Sequence, residues 1–364
     1  MARIDTFLKL GREGGCSDVH LAVGVPPMLR LRGDLLPIKF RDLGDTELEG
    51  YINEIITESQ KEKLLQGHDL DFSYAAKGVG RFRANVFRKL GGIGAVFRHI
   101  PETIPTLKEL GLPPVMEKVL DHHQGLILVT GSTGTGKSTS LAAMIDFINL
   151  NRQGNIITLE DPIEFVHRSK RCQVVQREVG THVRSFADGL RAALREDPDI
   201  ILVGEMRDTE TISMAMMAAE TGHLVFGTLH TTSTTKTLDR IIDALPIEQR
   251  AQAKIFLAQN LHAVMTQVLV KTHDGAARKA VCEVLTMTPA IAKLITDDKI
   301  FQIPNQIMTG KSMGMQLLDQ ALMENLEREL IDPDDAYRFA HDKKLFQRFV
   351  TDPTLLPKVD LAGG

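Results

Sequence analysis

The chain has 364 residues, 43% of them hydrophobic and 25% charged, with a formal net charge of −4. That length suggests about two domains, the composition excludes wholesale disorder, and the slightly acidic balance gives no electrostatic footprint for nucleic acid. Cys16, Cys172 and Cys282 are too far apart for a CxxC pair, and the longest apolar runs, Gly125–Val129 and Ile200–Gly204, fall far short of the ~20 residues of a membrane span. The N-terminal stretch MARIDTFLKLGREGG has no apolar signal core, so a soluble chain in a reducing, cytoplasmic compartment is expected.

In chain order, Ala2–Glu13 reads as a short helix, and Val19, Leu21 and Val23 alternate as a strand does. Met28–Arg32 and Leu35–Ile38 flank Gly33-Asp34, a tight hairpin signal. Leu48, Ile52, Ile55 and Ile56 mark the apolar face of a helix ending near Gly67, and short strands follow at Leu70–Ala75, Arg81–Phe87 and Ala95–Ile100. Pro101, Pro105, Pro113 and Pro114, with Gly111 among them, make 101–114 the best linker, because proline continues neither ladder nor helix. Beyond it, apolar runs Leu126–Thr130, Asn155–Glu160, Ile200–Val203 and Leu224–Leu229 alternate with helical stretches at 137–150, 185–196, 208–220 and 234–244. That rhythm predicts a largely parallel sheet covered on both faces. From about 286 the pattern is helical, with amphipathic stretches at 289–296, 313–327 and 333–348. Met315, Leu317, Leu318, Leu322 and Leu326 there read as core or subunit contact, not as lipid-inserting positions.

The strongest chemical signal is the run Gly131, Ser132, Thr133, Gly134, Thr135, Gly136, Lys137, Ser138 and Thr139, which fits GxxxxGK[ST] directly after an apolar strand and before a helix. Its glycines let backbone N–H groups curl around phosphate oxygens, and the helix N-terminus adds a positive dipole end. Lys137 would reach the β- and γ-phosphates, and the Ser138 hydroxyl would ligate Mg²⁺. Ile200–Val203 leads through Gly204 to Glu205, an acid at the carboxyl edge of the sheet where an aspartate usually precedes it. The run Glu160-Asp161-Pro162-Ile163-Glu164 could supply a second carboxylate. His223 and His230, seven residues apart, would lie about 23 Å apart on a continuous strand. By local spacing alone they cannot jointly hold one metal; His230, at the carboxyl end, is well placed to sense a γ-phosphate, and His223 would need a neighbouring subunit or a shorter strand. Arg81, Arg83, Arg88 and Arg98 lie in the last strands before the linker. Taken singly, a strand arginine is most often a solvated face residue. An arginine that reaches the developing charge in phosphoryl transfer is nonetheless worth about 10³–10⁵ in rate.

Together, GSTGTGKST at 131–139, TLEDPIEF at 158–165, REDPDIILVGEMRD at 195–208 and AAETGHLVFGTLHTT at 218–232 resemble the PilT-type ATPases. These are retraction motors of type IV pili within the secretion-ATPase superfamily. The likeness runs from SDVHLAVGVPP at 17–27 to TGKSMGMQLLDQAL at 309–322. It implies an α/β chain with a PAS-like α+β domain over 1–100, the linker 101–114, a RecA-like P-loop ATPase core over 115–285 and a mostly helical C-terminal region, 286–364. It further implies ATP and Mg²⁺ as cofactors, a homo-hexameric ring, and an inner-membrane pilus platform protein as partner, with a paralogous retraction ATPase as another. No nucleic acid is implied, and the inner membrane is approached through protein partners, without direct insertion. Carried over by residue, Lys137 and Ser138 form the Walker A site, Glu205 is the Walker B glutamate, and Glu164 falls in an acidic box. His223 and His230 fall in a histidine box. Arg83 and Arg98 have the fifteen-residue spacing of two phosphate-directed arginines, with Arg195 and Arg207 as weaker candidates. The chain departs from the family at Ala290–Asp297, where AIAKLITD has Ala292 and Thr296 in place of the two arginines of an AIRNLIRE-like helix. Beside the retraction motor, the sequence therefore leaves open an accessory, PilU-like or regulatory ring component, and a pilus assembly or secretion ATPase.

Overall fold

The computed structural model describes residues 2–31, 33–101 and 103–356. Arg32 at the end of the expected strand 28–32, Glu102 in the expected linker, and 357–364 in the expected C-terminal region lie outside the described residues. The chain divides into two units: residues up to Thr103 with Pro162–Val166, and Ile104–Asp161 with the chain from His167 onward.

The first unit runs α1 (Asp5–Glu13), β1 (Asp18–Ala22), β2 (Met28–Leu31), β3 (Asp34–Pro37), α2 (Asp45–Asn53), α3 (Glu58–Leu65), β4 (Leu70–Ala76), β5 (Gly80–Lys89) and β6 (Gly92–Ile100). Among the described residues its strands form one antiparallel sheet in the order β3-β2-β1-β6-β5-β4. The single helix expected up to Gly67 is two. Thr57 starts a second one through a capping box, its Oγ1 accepting from Gln60 N at 3.3 Å while Gln60 Oε1 accepts from Thr57 N at 2.9 Å. Phe82, Ala84 and Val86 of β5 join Ala95 and Phe97 of β6 in the core with Val19, Leu21, Leu48 and Ile52. With a side-chain period of two, Arg83 and Arg98 fall on the opposite face.

In the second unit α4 (Val115–Val119) precedes β7 (Gly125–Thr130), α5 (Lys137–Asn151), β8 (Gly154–Glu160), β9 (Cys172–Glu178), α6 (Phe186–Ala193), β10 (Ile200–Val203) and α7 (Thr209–Glu220). Then come β11 (Leu224–Leu229), α8 (Thr234–Asp243), α9 (Arg250–Asn260), β12 (Leu261–Lys271) and β13 (Arg278–Thr286). The sheet order is β13-β12-β7-β11-β10-β8-β9, parallel throughout except for the β12–β13 pair. Alternation along β7 sends Leu126 and Leu128 into the core under α6–α9, and Ile127 and Val129 into the core under α5. Both faces are buried, as the apolar runs require.

After Thr286 come α10 (Pro289–Thr296), α11 (Ile303–Thr309), α12 (Leu318–Glu327), α13 (Pro333–Phe339) and α14 (Lys343–Phe346). Leu318, Leu322, Ala336 and Phe346 pack on Val270 and Val281 of the β12–β13 pair. Met315, Leu318, Leu322 and Leu326 are buried, so this apolar stripe is spent on protein core. No helix among the described residues is long and apolar enough to cross a membrane.

Candidate functional site

Strands β7, β8, β10 and β11 run in parallel, so their carboxyl ends share one edge. The chain leaves that edge as the 131–136 loop after β7, Glu160 at the end of β8, Gly204-Glu205 after β10, and His230 after β11. Ligands of open parallel sheets bind at such an edge. Gly131, Gly134 and Gly136 have φ of 141°, 80° and 85°, a backbone that side-chain-bearing residues rarely adopt. The loop therefore curls, and α5 begins immediately after it with its N-terminal N–H groups toward the edge.

Gly204 stands where an aspartate usually precedes such an acid, and the geometry shows why a side chain does not fit there. A Cβ there would lie 2.9 Å from Leu159 O. The turn is pinned by Gly204 N donating to Leu159 O at 2.7 Å and Thr228 Oγ1 donating to Gly204 O at 2.5 Å. The two neighbouring strands so clamp the turn that Glu205 is presented at a fixed place.

Around it the charged groups converge. His230 Nε2 lies 2.8 Å from Glu205 Oε1, and His230 Nδ1 lies 3.5 Å from Lys137 Nζ. A neutral imidazole protonated at Nε2 satisfies both, donating to the carboxylate and accepting from the ammonium. Lys137 Nζ also donates to Gly131 O at 2.8 Å and Ser132 O at 3.0 Å, and Arg207 Nε donates to Glu205 Oε1. A cavity of about 770 Å³ opens here, lined by Ser132, Thr133, Glu205, Arg207, His230 and Arg240 among others. Arg240, on α8, carried no signal in the sequence, and Arg207 was only a flanking candidate.

The remaining expected residues lie elsewhere. His223 sits at the opposite end of β11, its Nδ1 2.8 Å from Ala218 O, where it closes the end of α7. Of the acidic run, Glu160 accepts from Thr158 Oγ1 at 2.6 Å and Gln176 Nε2 at 2.9 Å, whereas Glu164 belongs to the first unit. There Glu164 lies 3.8 Å from Arg83, which also holds Asp71 bidentately at 3.1 and 2.6 Å. Arg83 and Arg98 are direct cross-strand partners on β5 and β6. Like charges so placed repel, and each is answered by its own carboxylate: Arg98 Nε donates to Asp18 Oδ1 at 2.8 Å. Burial opposes ionisation of Asp18, but bonds from Ser17 and Arg98 outweigh it and hold the carboxyl below its ordinary value.

Behind the loop is a layer of polar side chains that the sequence did not reveal. Gln267 on β12 is buried, its Nε2 donating to Thr135 O at 2.6 Å and its Oε1 accepting from Ser140 Oγ at 2.7 Å. Thr130 and Thr266 share a 2.8 Å hydroxyl bond, and Thr237 reaches Thr130 at 3.4 Å, Thr231 at 2.7 Å and Ser233 O at 2.8 Å. Glu283, also buried, accepts from Thr234 N and Thr234 Oγ1, both at 2.7 Å, and from Leu318 N at 3.3 Å. One carboxylate thus caps the starts of α8 and α12, where helix dipoles favour negative charge. Gln267 and Glu283 interrupt runs otherwise readable as strands, and only the neighbours supplied by the fold give them meaning.

Residues 61–332 match the family described as type II/IV secretion system protein. The chain is 48% identical to the type IV pilus retraction ATPase PilT of Pseudomonas aeruginosa over 92% of its own length and 96% of that protein's. It is 39% identical to the type IV pilus ATPase PilU of the same organism, covering 92% and 88%. Among solved structures, it is similar to the pilus retraction motor PilT with bound ADP, at a TM-score of 0.88, 42% identity, and 96% and 99% coverage of the two chains.

Proposed function

The chain belongs to the type II/IV secretion system protein family and, within it, to the PilT-type ATPases, and we propose that it is an ATP-hydrolysing motor that drives type IV pilus retraction and twitching motility. The observation that carries this is a cavity lined by Glu205 and His230, with Lys137 3.5 Å from that histidine, beside a curled glycine loop at a helix N-terminus. Such a loop binds phosphate through backbone N–H groups, and Lys137 neutralises the outer phosphates. Glu205 orients the attacking water, and His230, lying between it and Lys137, registers whether a γ-phosphate is present.

Mg²⁺ fits this donor set. Among the described residues no group of three or more His, Cys, Asp or Glu is gathered to hold a metal. An ion carried by phosphates and water needs only one or two protein oxygens, which Ser138 and Glu205 would supply. When bound, the ion supplies charge neutralisation across the phosphates. Arg83 and Arg98 are proposed to respond to nucleotide from the first unit, with Glu164 as the second carboxylate. The working form is a homo-hexamer in the cytoplasm that meets the inner membrane through a pilus platform protein.

One observation favours a second reading, an accessory PilU-like ring. On α10, positions 292 and 296 carry alanine and threonine, and the exposed Lys293 is spent on an ion pair with Asp297 at 2.7 Å. Surface pili and twitching in a strain lacking the protein separate the readings. Retraction predicts more filaments with lost motility. Loss of filaments would replace it with an assembly role, and an unchanged strain with an accessory one.

A further inference from the structure

We infer that Gln267 is a positioning residue for the phosphate loop: from β12 its amide holds the Thr135 carbonyl inward, so that the loop's N–H groups are free for nucleotide phosphate. This rests on the nucleotide-site reading above and adds to it a residue outside every motif that reading uses.

The register places it. Thr266 on β12 pairs with Thr130, the last residue of β7, so Gln267 comes level with Gly131, the first residue of the loop. Ala263 and Met265 share the core beneath α5, and the period of two puts the Gln267 side chain on that same face, under the loop and against α5. The amide orientation follows from chemistry. Thr135 O can only accept, so the NH₂ end must face it, which leaves the carbonyl end to accept from Ser140 Oγ. One buried side chain therefore ties the loop to the first turns of its own helix.

The glycines of the loop report the same closeness. A Cβ on Gly131 would lie 2.4 Å from Gln267 O, and one on Gly136 would lie 3.0 Å from Gln267 Nε2. A Cβ on Gly134 would meet nothing within 4 Å. The loop is thus packed against Gln267 at both ends and open at its crest. With Thr135 O held by an internal donor, the loop does not turn that C=O toward an incoming anion. An ordinary apolar residue at 267 would fill the space but leave Thr135 O buried without a donor.

The test compares wild type with Gln267→Met, which keeps length and flexibility without hydrogen bonds, and Gln267→Glu, which still accepts from Ser140 but cannot donate to Thr135 O. Measured are the Kd for ATP and ADP, KM and kcat for ATP, and Tm without nucleotide. Both variants should raise Kd and KM about tenfold, about 1.4 kcal/mol of binding, with kcat changed less than about threefold. Ser140→Ala should reproduce part of the KM rise alone and add nothing in the Gln267→Met background. It also keeps the inference testable should Gln267→Met fail to fold. A lowered Tm with unchanged Kd and KM would make Gln267 a packing residue and overturn the inference. A wild-type protein that binds no ATP would overturn the nucleotide reading itself, and the inference with it.

Discussion

On its cavity side the 131–136 loop faces charge that water can reach: Arg207 is 75% exposed and His230 41%, and Glu205 sits between them. On its sheet side the loop rests on Gln267, and across the sheet Thr266 and Glu283 extend the polar layer, none of the three more than 4% exposed; these bond to hydroxyls, a backbone carbonyl and backbone N–H groups. Exposed charges in contact hold each other weakly, because solvent screens them and long side chains resist ordering. They can therefore let go of one another when a ligand offers stronger partners. Buried groups have no water to fall back on, so each bond lost leaves a desolvated atom behind. The two walls divide the work, one exchanging partners and the other staying fixed.

The largest effects that could break this division come from the cavity wall. Lys137→Ala should abolish nucleotide binding or turnover. Glu205→Gln should still bind ATP while hydrolysing it about 10²–10³-fold more slowly, the usual scale for losing one group aimed at the transition state. Neither should move the unfolding free energy by more than about 1 kcal/mol, since both half-buried groups border an open cavity. Turnover and chemical unfolding on the same preparations check this. Normal hydrolysis in Glu205→Gln would remove that residue from the chemistry.

Glu283, whose bonds run to the starts of α8 and α12 and not to the loop, should behave in the opposite way. Glu283→Ala deprives Thr234 N, Thr234 Oγ1 and Leu318 N of their acceptor in a buried place. At ~1–3 kcal/mol for each unsatisfied buried group, with partial relaxation, a loss of about 3 kcal/mol is expected. The urea midpoint should fall while KM for ATP, measured on folded protein, stays within about threefold. A tenfold change in KM at unchanged stability would mean that Glu283, too, acts on nucleotide binding.

The same contrast explains what the sequence could disclose. The cavity wall is written in contiguous pieces: a phosphate loop between strand and helix, an acid at a strand end, and a histidine at another. Each is a local pattern with a chemical reason, so Lys137, Ser138, Glu205 and His230 are found without a fold. Gln267 lies far downstream of the loop it supports, on a strand whose His262, Thr266 and Gln267 break the continuous apolar run that betrays β7 or β11. Those polar positions hide β12 from a reading by apolar runs. The break at Thr57 was missed because a capping box needs only Thr and Gln three apart, which the apolar face of the helix overrode. The assignment of Pro162–Val166 to the first unit is a long-range fact with no local signature.

A third kind of buried polar group sharpens the contrast with the smallest effect. His167, between β8 and β9, is buried; its backbone N donates to Gln176 Oε1 at 2.8 Å, but its Nδ1 has no partner among the described residues. Burial pushes the imidazole down to about 4; nearby Asp146 pulls it up, and Lys170 adds to the fall. The unfolded imidazole titrates near 6.5, so between those values the unfolded chain binds more protons and stability rises with pH. The contribution is complete above about pH 6.5 and is lost as pH falls toward about 4, with about 2 kcal/mol of it gone between pH 7 and pH 5. The hydroxyls and amide behind the loop carry no proton that titrates there, so they add no slope. Unfolding free energies at pH 7, 6 and 5 for wild type and His167→Leu measure the difference. The variant should lose about 2 kcal/mol less than wild type across that range, whatever its own stability at pH 7. Parallel losses would assign the acid sensitivity to another group and leave His167 as buried as its neighbours but silent.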